Sequence, residues 1–92
     1  MPVRVRVPTP LRRFTAGADE VAADGASVKA IIEDLERRHP GMRERLLDDK
    51  GALRRFVNIY VNGDDIRFLD ELNSKVKDGD DLSIVPAIAG GA

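Results

Sequence analysis

The segment Phe56–Val61 constrains the fold more than any other part of the sequence. Three aliphatic side chains alternate in it with three aromatic or polar ones, namely Val57, Ile59 and Val61 with Phe56, Asn58 and Tyr60. A period of two is typical of a strand with one buried face. Asn62-Gly63 follows, and both residue types tolerate the positive φ of a tight hairpin turn. The chain therefore has to build a sheet around this strand, with a return strand predicted at Ile66–Phe68.

The remaining elements place one long helix between strands. Period-two alternation or short apolar runs predict three more strands, at Val3–Val7, near Glu20–Ala23 and at Asp81–Pro86. The helix begins after Ser27, a good N-cap residue, and ends before Pro40, with charged side chains such as Asp34 on its solvent side. A short second helix is predicted to carry Met42, Leu46 and Leu47. The order β-β-α-β-β-β is that of a β-grasp, an α+β fold with a mixed four- to five-stranded sheet, one main crossing helix, and its first and last strands side by side in the middle.

Length favours a single small domain that is not itself an enzyme. A chain of 92 residues forms one domain, predicted as a β-grasp domain over residues 1–86 and a flexible C-terminal tail over residues 87–92. Because so small a core leaves little room for a deep pocket, a carrier or binding module is favoured. No apolar run approaches the roughly 20 residues of a membrane span, and the N-terminal segment lacks the apolar stretch of a signal peptide, so a cytoplasmic location is expected.

The charged residues predict a solvated surface rather than a metal or nucleic-acid site. The net charge of −1 gives no general attraction to nucleic acid or to a membrane. Seven basic residues are interspersed with acids: Lys29, Arg37, Arg38, Arg43, Arg45, Arg54 and Arg55. The chain has no cysteine and a single histidine, His39, which cannot build a zinc site or a catalytic triad. Asp64-Asp65 and Asp80-Asp81 lie beside glycines in predicted turns, so no metal and no cofactor are expected.

The C-terminal stretch Ala87–Ala92 has no charged side chain and contains Gly90-Gly91. Glycine lacks a Cβ, so its backbone can enter a narrow cleft of another protein. A terminal glycine carboxylate is a poor electrophile until a partner enzyme joins it to a leaving group such as AMP. The resulting acyl-adenylate can accept sulfide and become a thiocarboxylate. A frayed terminus without chemistry is the alternative interpretation of the same residues.

Three stretches, spread over nearly the whole chain, carry a family resemblance. They are Val5–Thr9 with Leu11-Arg12, Arg55–Asn62 with Asp65–Phe68, and Asp78–Asp80 with Ile84–Gly91. Through them the chain resembles the ubiquitin-like bacterial sulfur carriers, the group that contains the small subunit of molybdopterin synthase and the thiamine sulfur carrier. Within this group it is most similar to the actinobacterial carriers of cysteine biosynthesis.

The resemblance implies a residue that carries sulfur and a set of partner enzymes. By position Gly91 would be the thiocarboxylate, with Ala89 and Gly90 in the tail before it. An adenylating, E1-like enzyme would consume ATP to activate the glycine. A pyridoxal-phosphate-dependent enzyme similar to cysteine synthase would join the sulfur to an activated serine, and a zinc metalloprotease of the JAMM type would release the amino acid. Cysteine or a related sulfur amino acid is the implied product.

One residue departs from the family pattern, since the active form of the family ends at the second glycine and Ala92 follows it here. Removal of Ala92 by a protease is the preferred explanation. Two other functions remain open. One is the small subunit of molybdopterin synthase, which donates sulfur to the molybdenum cofactor, and the other is a β-grasp interaction module whose tail does no chemistry.

The sheet is predicted to offer a surface for docking partners. Strand parity puts five side chains on the face opposite the helix: Phe56, Tyr60, Arg4, Arg6 and Val85. Aromatic residues and arginine are enriched among residues that dominate binding energy. The alternative is that Phe56 and Tyr60 pack under the segment 42–53.

Overall fold

The structure is a computed structural model that describes residues 2–86 of the 92-residue chain. The strands and helices are β1 (Val3–Arg6), β2 (Glu20–Ala23), α1 (Val28–Arg38), α2 (Met42–Leu46), β3 (Val57–Val61), β4 (Asp64–Asp65) and β5 (Asp81–Pro86). Three short segments of 3₁₀ helix lie at Thr9–Thr15, Ile66–Phe68 and Glu71–Asn73.

The five strands form one mixed sheet in the order β2-β1-β5-β3-β4. The first and last strands, β1 and β5, are parallel neighbours in the middle, and every other pair is antiparallel. Together with the single long helix α1, this order confirms the predicted α+β architecture of a β-grasp.

One face of the sheet and the apolar side of α1 enclose the core. The alternating valines of β1 point into it, and so do the aliphatic residues of β3, which confirms the predicted parity. The side chains with no measurable exposure include Val5, Ile31, Ile32, Leu35, Ile59 and Leu82. Because these residues come from both ends of the sequence, the core joins the two halves of the chain.

The helix α1 begins and ends where the sequence predicts. The Ser27 hydroxyl accepts a hydrogen bond from the N–H of Ala30 at 3.2 Å, which satisfies one free donor of the first turn. The helix ends at Arg38, and the N–H of the C-cap residue His39, directly before Pro40, donates to the carbonyl of Leu35 at 2.7 Å. Within residues 2–86 no helix is long and apolar enough to cross a membrane.

The prediction that Asp34 faces solvent is wrong, because its side chain is only 5% exposed. Its carboxylate accepts a hydrogen bond from the N–H of Asp24 at 2.8 Å and pairs with the guanidinium groups of Arg37 and Arg38. The hydrogen bond from Asp24 and the two arginines hold the pKa of Asp34 below its ordinary value. Asp34 therefore stabilises the junction between β2 and α1 in its ionised form.

The predicted return strand at Ile66–Phe68 is also wrong. Asn62 and Gly63 form the expected turn with φ of 52° and 92°, but the pairing that follows covers only Asp64–Asp65. The Asp65 carboxylate then accepts a hydrogen bond from the N–H of Arg67 at 2.9 Å and caps a turn of 3₁₀ helix. This turn of 3₁₀ helix buries the side chain of Ile66 in the core.

The segment between α1 and β3 is held against the rest of the domain at Gly41. Gly41 has a φ of 104°, and a Cβ there would lie 2.7 Å from the Phe14 ring, so only glycine fits without strain. The Glu36 carboxylate accepts hydrogen bonds from the N–H groups of Gly41 and Arg43, at 3.1 and 2.9 Å. These contacts fix the start of α2. Arg45, in the last turn of α2, has its guanidinium 5.5 Å from the centre of the Phe14 ring.

Candidate functional site

The last described strand, β5, ends five residues before Gly91. β5 is a central strand, because it pairs with β1 on one side and with β3 on the other. Leu82 and Ile84 anchor it in the core. Its final residue, Pro86, lies opposite Val57, the first residue of β3. The chain beyond Pro86 therefore starts from a well-anchored position at one end of the sheet.

The predicted tail residues Ala89, Gly90, Gly91 and Ala92 lie outside the described residues, so their roles stay predictions. Five residues, the span from Pro86 to Gly91, reach at most about 17 Å when fully extended. An enzyme that holds Gly91 in its active site would therefore also contact the surface of the domain around Pro86.

The outer face of the sheet, the side opposite α1, is defined by the strand register. Arg6 and Tyr60 both lie opposite Ser83, one from each neighbour of β5, and Val85 lies opposite Asn58. Residues directly opposite each other in a sheet project from the same face. The structure therefore brings three of the five predicted docking residues, Arg6, Tyr60 and Val85, together on the outer face.

The other two predicted docking residues, Phe56 and Arg4, lie near opposite ends of the sheet. Phe56 directly precedes β3 and is 64% exposed, so the alternative that it packs under the segment 42–53 is wrong. Arg4 lies opposite Asp81, and its Nε is 2.9 Å from the Asp81 carboxylate. Roughly 16 Å of strand separates Asp81 from Pro86. Phe56 is therefore close to the end of β5, whereas Arg4 is remote from it and already paired.

One residue that borders this surface, Arg67, was not found from the sequence. Arg67 donates hydrogen bonds to the side-chain carbonyl of Asn58 and, at 3.0 Å, to the backbone carbonyl of Val57. Phe68 and Leu69, which follow it, are 88% and 47% exposed. The guanidinium of Arg67 thus covers the start of β3, with two exposed apolar side chains beside it in the sequence.

The two acidic pairs have roles within the fold. Asp65 caps the turn before Arg67, and the Asp80 carboxylate accepts a hydrogen bond from the N–H of Lys77 at 2.9 Å. That hydrogen bond holds the pKa of Asp80 below its ordinary value. In the described part of the chain no group of three or more histidine, aspartate or glutamate side chains is arranged to hold a metal ion.

Comparison with known sequences gives the family of the chain. The ThiS family matches residues 5–91. The sulfur carrier protein CysO of Mycobacterium tuberculosis is 48% identical over 93 aligned residues, which cover 99% of this chain and 100% of the relative. A putative sulfur carrier protein of Archaeoglobus fulgidus is 34% identical, with 99% of this chain and 100% of the relative covered.

Solved structures agree with the sequence comparison. A chain in the crystal structure of the Amycolatopsis orientalis BexX/CysO complex matches with a TM-score of 0.91 and 50% identity, covering 97% of this chain and 99% of that one. The crystal structure of Mycobacterium tuberculosis CysO matches with a TM-score of 0.89 and 47% identity, covering 92% and 98%. With the family matched from residue 5 to residue 91 and the fold shared, the chain belongs to the ThiS family of ubiquitin-like sulfur carriers.

Proposed function

We propose that this protein is a sulfur carrier whose Gly91 carboxylate is adenylated and converted to a thiocarboxylate. The observation that carries the proposal is the position of β5, a central strand that ends at Pro86, five residues before Gly91. The similarity to CysO over nearly the whole chain supports the same role. An anchored strand followed by a short glycine-containing segment suits a protein that presents its C-terminus to other enzymes.

The proposed chemistry takes place in two steps on a partner enzyme. In the first, a carboxylate oxygen of Gly91 attacks the α-phosphate of ATP, and pyrophosphate leaves. In the second, sulfide attacks the carbonyl of the acyl-adenylate, AMP leaves, and the C-terminus becomes a thiocarboxylate. The carrier contributes the carboxylate and the partner contributes the ATP site and the catalytic groups, so the carrier is proposed to be a reagent and not an enzyme.

The proposed partners follow from this chemistry and from the family. An adenylating, E1-like enzyme loads Gly91, and a pyridoxal-phosphate-dependent enzyme transfers the sulfur to an activated serine. A zinc metalloprotease of the JAMM type then releases cysteine or a related sulfur amino acid. That members of the family form stable complexes is supported by the solved complex of BexX with CysO.

Maturation is part of the proposal, because the reacting carboxylate has to belong to Gly91. A chain that ends at Ala92 presents the carboxylate one residue later, with an amide in the place of the reacting group. We therefore propose that Ala92 is removed before adenylation. The match to the ThiS family, which stops at residue 91, is consistent with this step.

Valine substitutions in the tail test the proposal. In a chain ending at residue 91, Gly90→Val and Gly91→Val are expected to reduce thiocarboxylate formation by the adenylating enzyme at least about a hundredfold, because a misplaced reacting group costs that much. A β-branched side chain there would clash with a cleft shaped for glycine. The measurement is the mass of the carrier after incubation with the enzyme, ATP and sulfide.

The matched control is Ala22→Val, an exposed position on the edge strand β2 where valine is well tolerated. All three variants are expected to keep the melting temperature of the parent chain, because none of them changes a residue of the described core, which runs from Val3 to Ile84. Normal loading of both tail variants would contradict the proposed role of the tail.

A further inference from the structure

A cleft of about 330 Å³ opens beside the end of β5. It is lined by Arg45, Asp48, Arg54, Arg55, Phe56 and Val57. Val57 lies opposite Pro86 in the sheet, so the cleft borders the end of β5, five residues before Gly91. An enzyme that takes up Gly91 would reach this part of the surface.

Three arginines of the cleft form no ion pair within residues 2–86, where the ion pairs involve other arginines. Arg45 lies against the Phe14 ring, and the Nε of Arg54 donates to the backbone carbonyl of Glu44 at 2.8 Å. These contacts orient the two guanidinium groups, and the carboxylate nearest to them in the cleft is that of Asp48, which attracts Arg54 without forming an ion pair with it. Arg55 is exposed on the same cleft.

The one acid of the cleft, Asp48, is engaged by its own loop. Its Oδ1 accepts hydrogen bonds from the N–H groups of Ala52 and Lys50, at 3.0 and 2.9 Å. The hydrogen bond from Ala52, followed by that from Lys50, holds the pKa of Asp48 below its ordinary value, so the group is an anion at neutral pH. One anion against three guanidinium groups leaves the cleft with an excess of positive charge around an exposed aromatic ring.

We infer that this cleft binds an acidic segment of the enzyme that activates the tail, with aspartate or glutamate side chains on Arg45, Arg54 and Arg55 and an apolar side chain on Phe56. The argument is charge complementarity at a surface that such an enzyme has to cover. The inference rests on the proposed function and adds to it the chemistry of the partner. Arginine suits this role because its guanidinium binds carboxylates in a bidentate geometry.

The test is steady-state adenylation of the chain ending at Gly91 by the adenylating enzyme of the same organism, followed as pyrophosphate release. Arg55→Glu and Phe56→Ala are expected to raise the KM for the carrier about tenfold or more and to leave kcat within about twofold. The effect of Arg55→Glu is expected to shrink as salt is raised, because exposed charges are screened. Lys29→Glu, an equal change of charge at an exposed position on α1, is the matched control and is expected to stay within about twofold of the parent chain.

The possible outcomes separate the inference from the proposed function. An unchanged KM for Arg55→Glu and Phe56→Ala, with normal adenylation of the parent chain, would overturn the inference alone. Absence of any adenylation of the parent chain would overturn the proposed function and the inference with it. If the same variants instead lose binding to a single-stranded RNA oligonucleotide while KM is unchanged, the cleft is a nucleic-acid site and the inference is wrong.

Discussion

Replacing Ile59 with alanine is expected to lower the free energy of unfolding by about 2–5 kcal/mol, because it leaves a cavity in the core. Ile59 has no exposed surface and lies in the middle of β3, opposite Ile84 of β5. Its partner Ile84 belongs to a central strand of the sheet, so the surroundings can relax into the space only in part. The measurement is urea unfolding at equilibrium, where the midpoint should fall and the slope should stay constant.

Tyr60→Ala is the matched variant, one residue away on the opposite face of β3. Tyr60 is only partly buried, so its loss is expected to be milder for stability. Its place on the outer face, across β5 from Arg6, predicts instead a weaker affinity for a partner enzyme, by about 2 kcal/mol or roughly thirtyfold if it dominates the contact. If Tyr60→Ala unfolds the domain while Ile59→Ala does not, the assignment of the two faces is inverted.

The chain ending at Ala92 is expected not to be adenylated at all, whereas the chain ending at Gly91 is expected to be a substrate. Reacting atoms have to approach within about 3–3.5 Å, and one additional residue moves the carboxylate by about one residue length, roughly 3.5 Å. The two chains share every residue of the folded domain, so a difference between them isolates the tail. Exchange of labelled pyrophosphate into ATP measures the first step without any sulfur source.

The control is a chain that stops at residue 91 and carries Gly91→Ala. It has a terminal alanine, as the chain ending at Ala92 does, but it lacks the additional residue. If the length is decisive, this variant should retain more activity than the chain ending at Ala92. Equal exchange by the chains ending at Gly91 and at Ala92 would contradict the need for trimming.

The strands β1, β3 and β5 and the helix α1 were predictable because a local pattern fixes each of them. The alternation in β3 leaves only one face that can be buried, and Ser27 and Pro40 define the two ends of α1 by their backbone chemistry. The central position of β5 followed from the order of the elements, since the crossing helix brings the first and last strands together.

The failures came from side chains whose partners are set by the tertiary fold. Asp34 is a charged residue in the helix α1, and the sequence therefore predicted it on the solvent side. In the fold, the N–H of Asp24 and two arginines bind its carboxylate and compensate for its burial. Asp65 resembles a turn residue, but its capping of Arg67 ends the strand after two residues. An aspartate two positions before Arg67 is a cap signal that the sequence does contain.

The candidate site was predictable only in part for the same reason. Strand parity correctly placed Arg6, Tyr60 and Val85 on one face, because parity depends on the strand alone. The cleft around Phe56 joins residues of α2 to residues that precede β3. In the sequence, Arg45 and Arg54 are separated by acids, and only the fold of the segment between α1 and β3 gathers them beside the end of β5.

The most direct test of the central claim, that Gly91 carries sulfur, is the intact mass of the protein purified from its native cells under non-reducing conditions. The account predicts a mass that lacks Ala92 and exceeds that of the trimmed carboxylate by the difference between one sulfur and one oxygen atom. Fragmentation should place this excess on Gly91. A protein that retains Ala92 and carries only oxygen at its C-terminus, in cells that are actively making cysteine, would contradict the account.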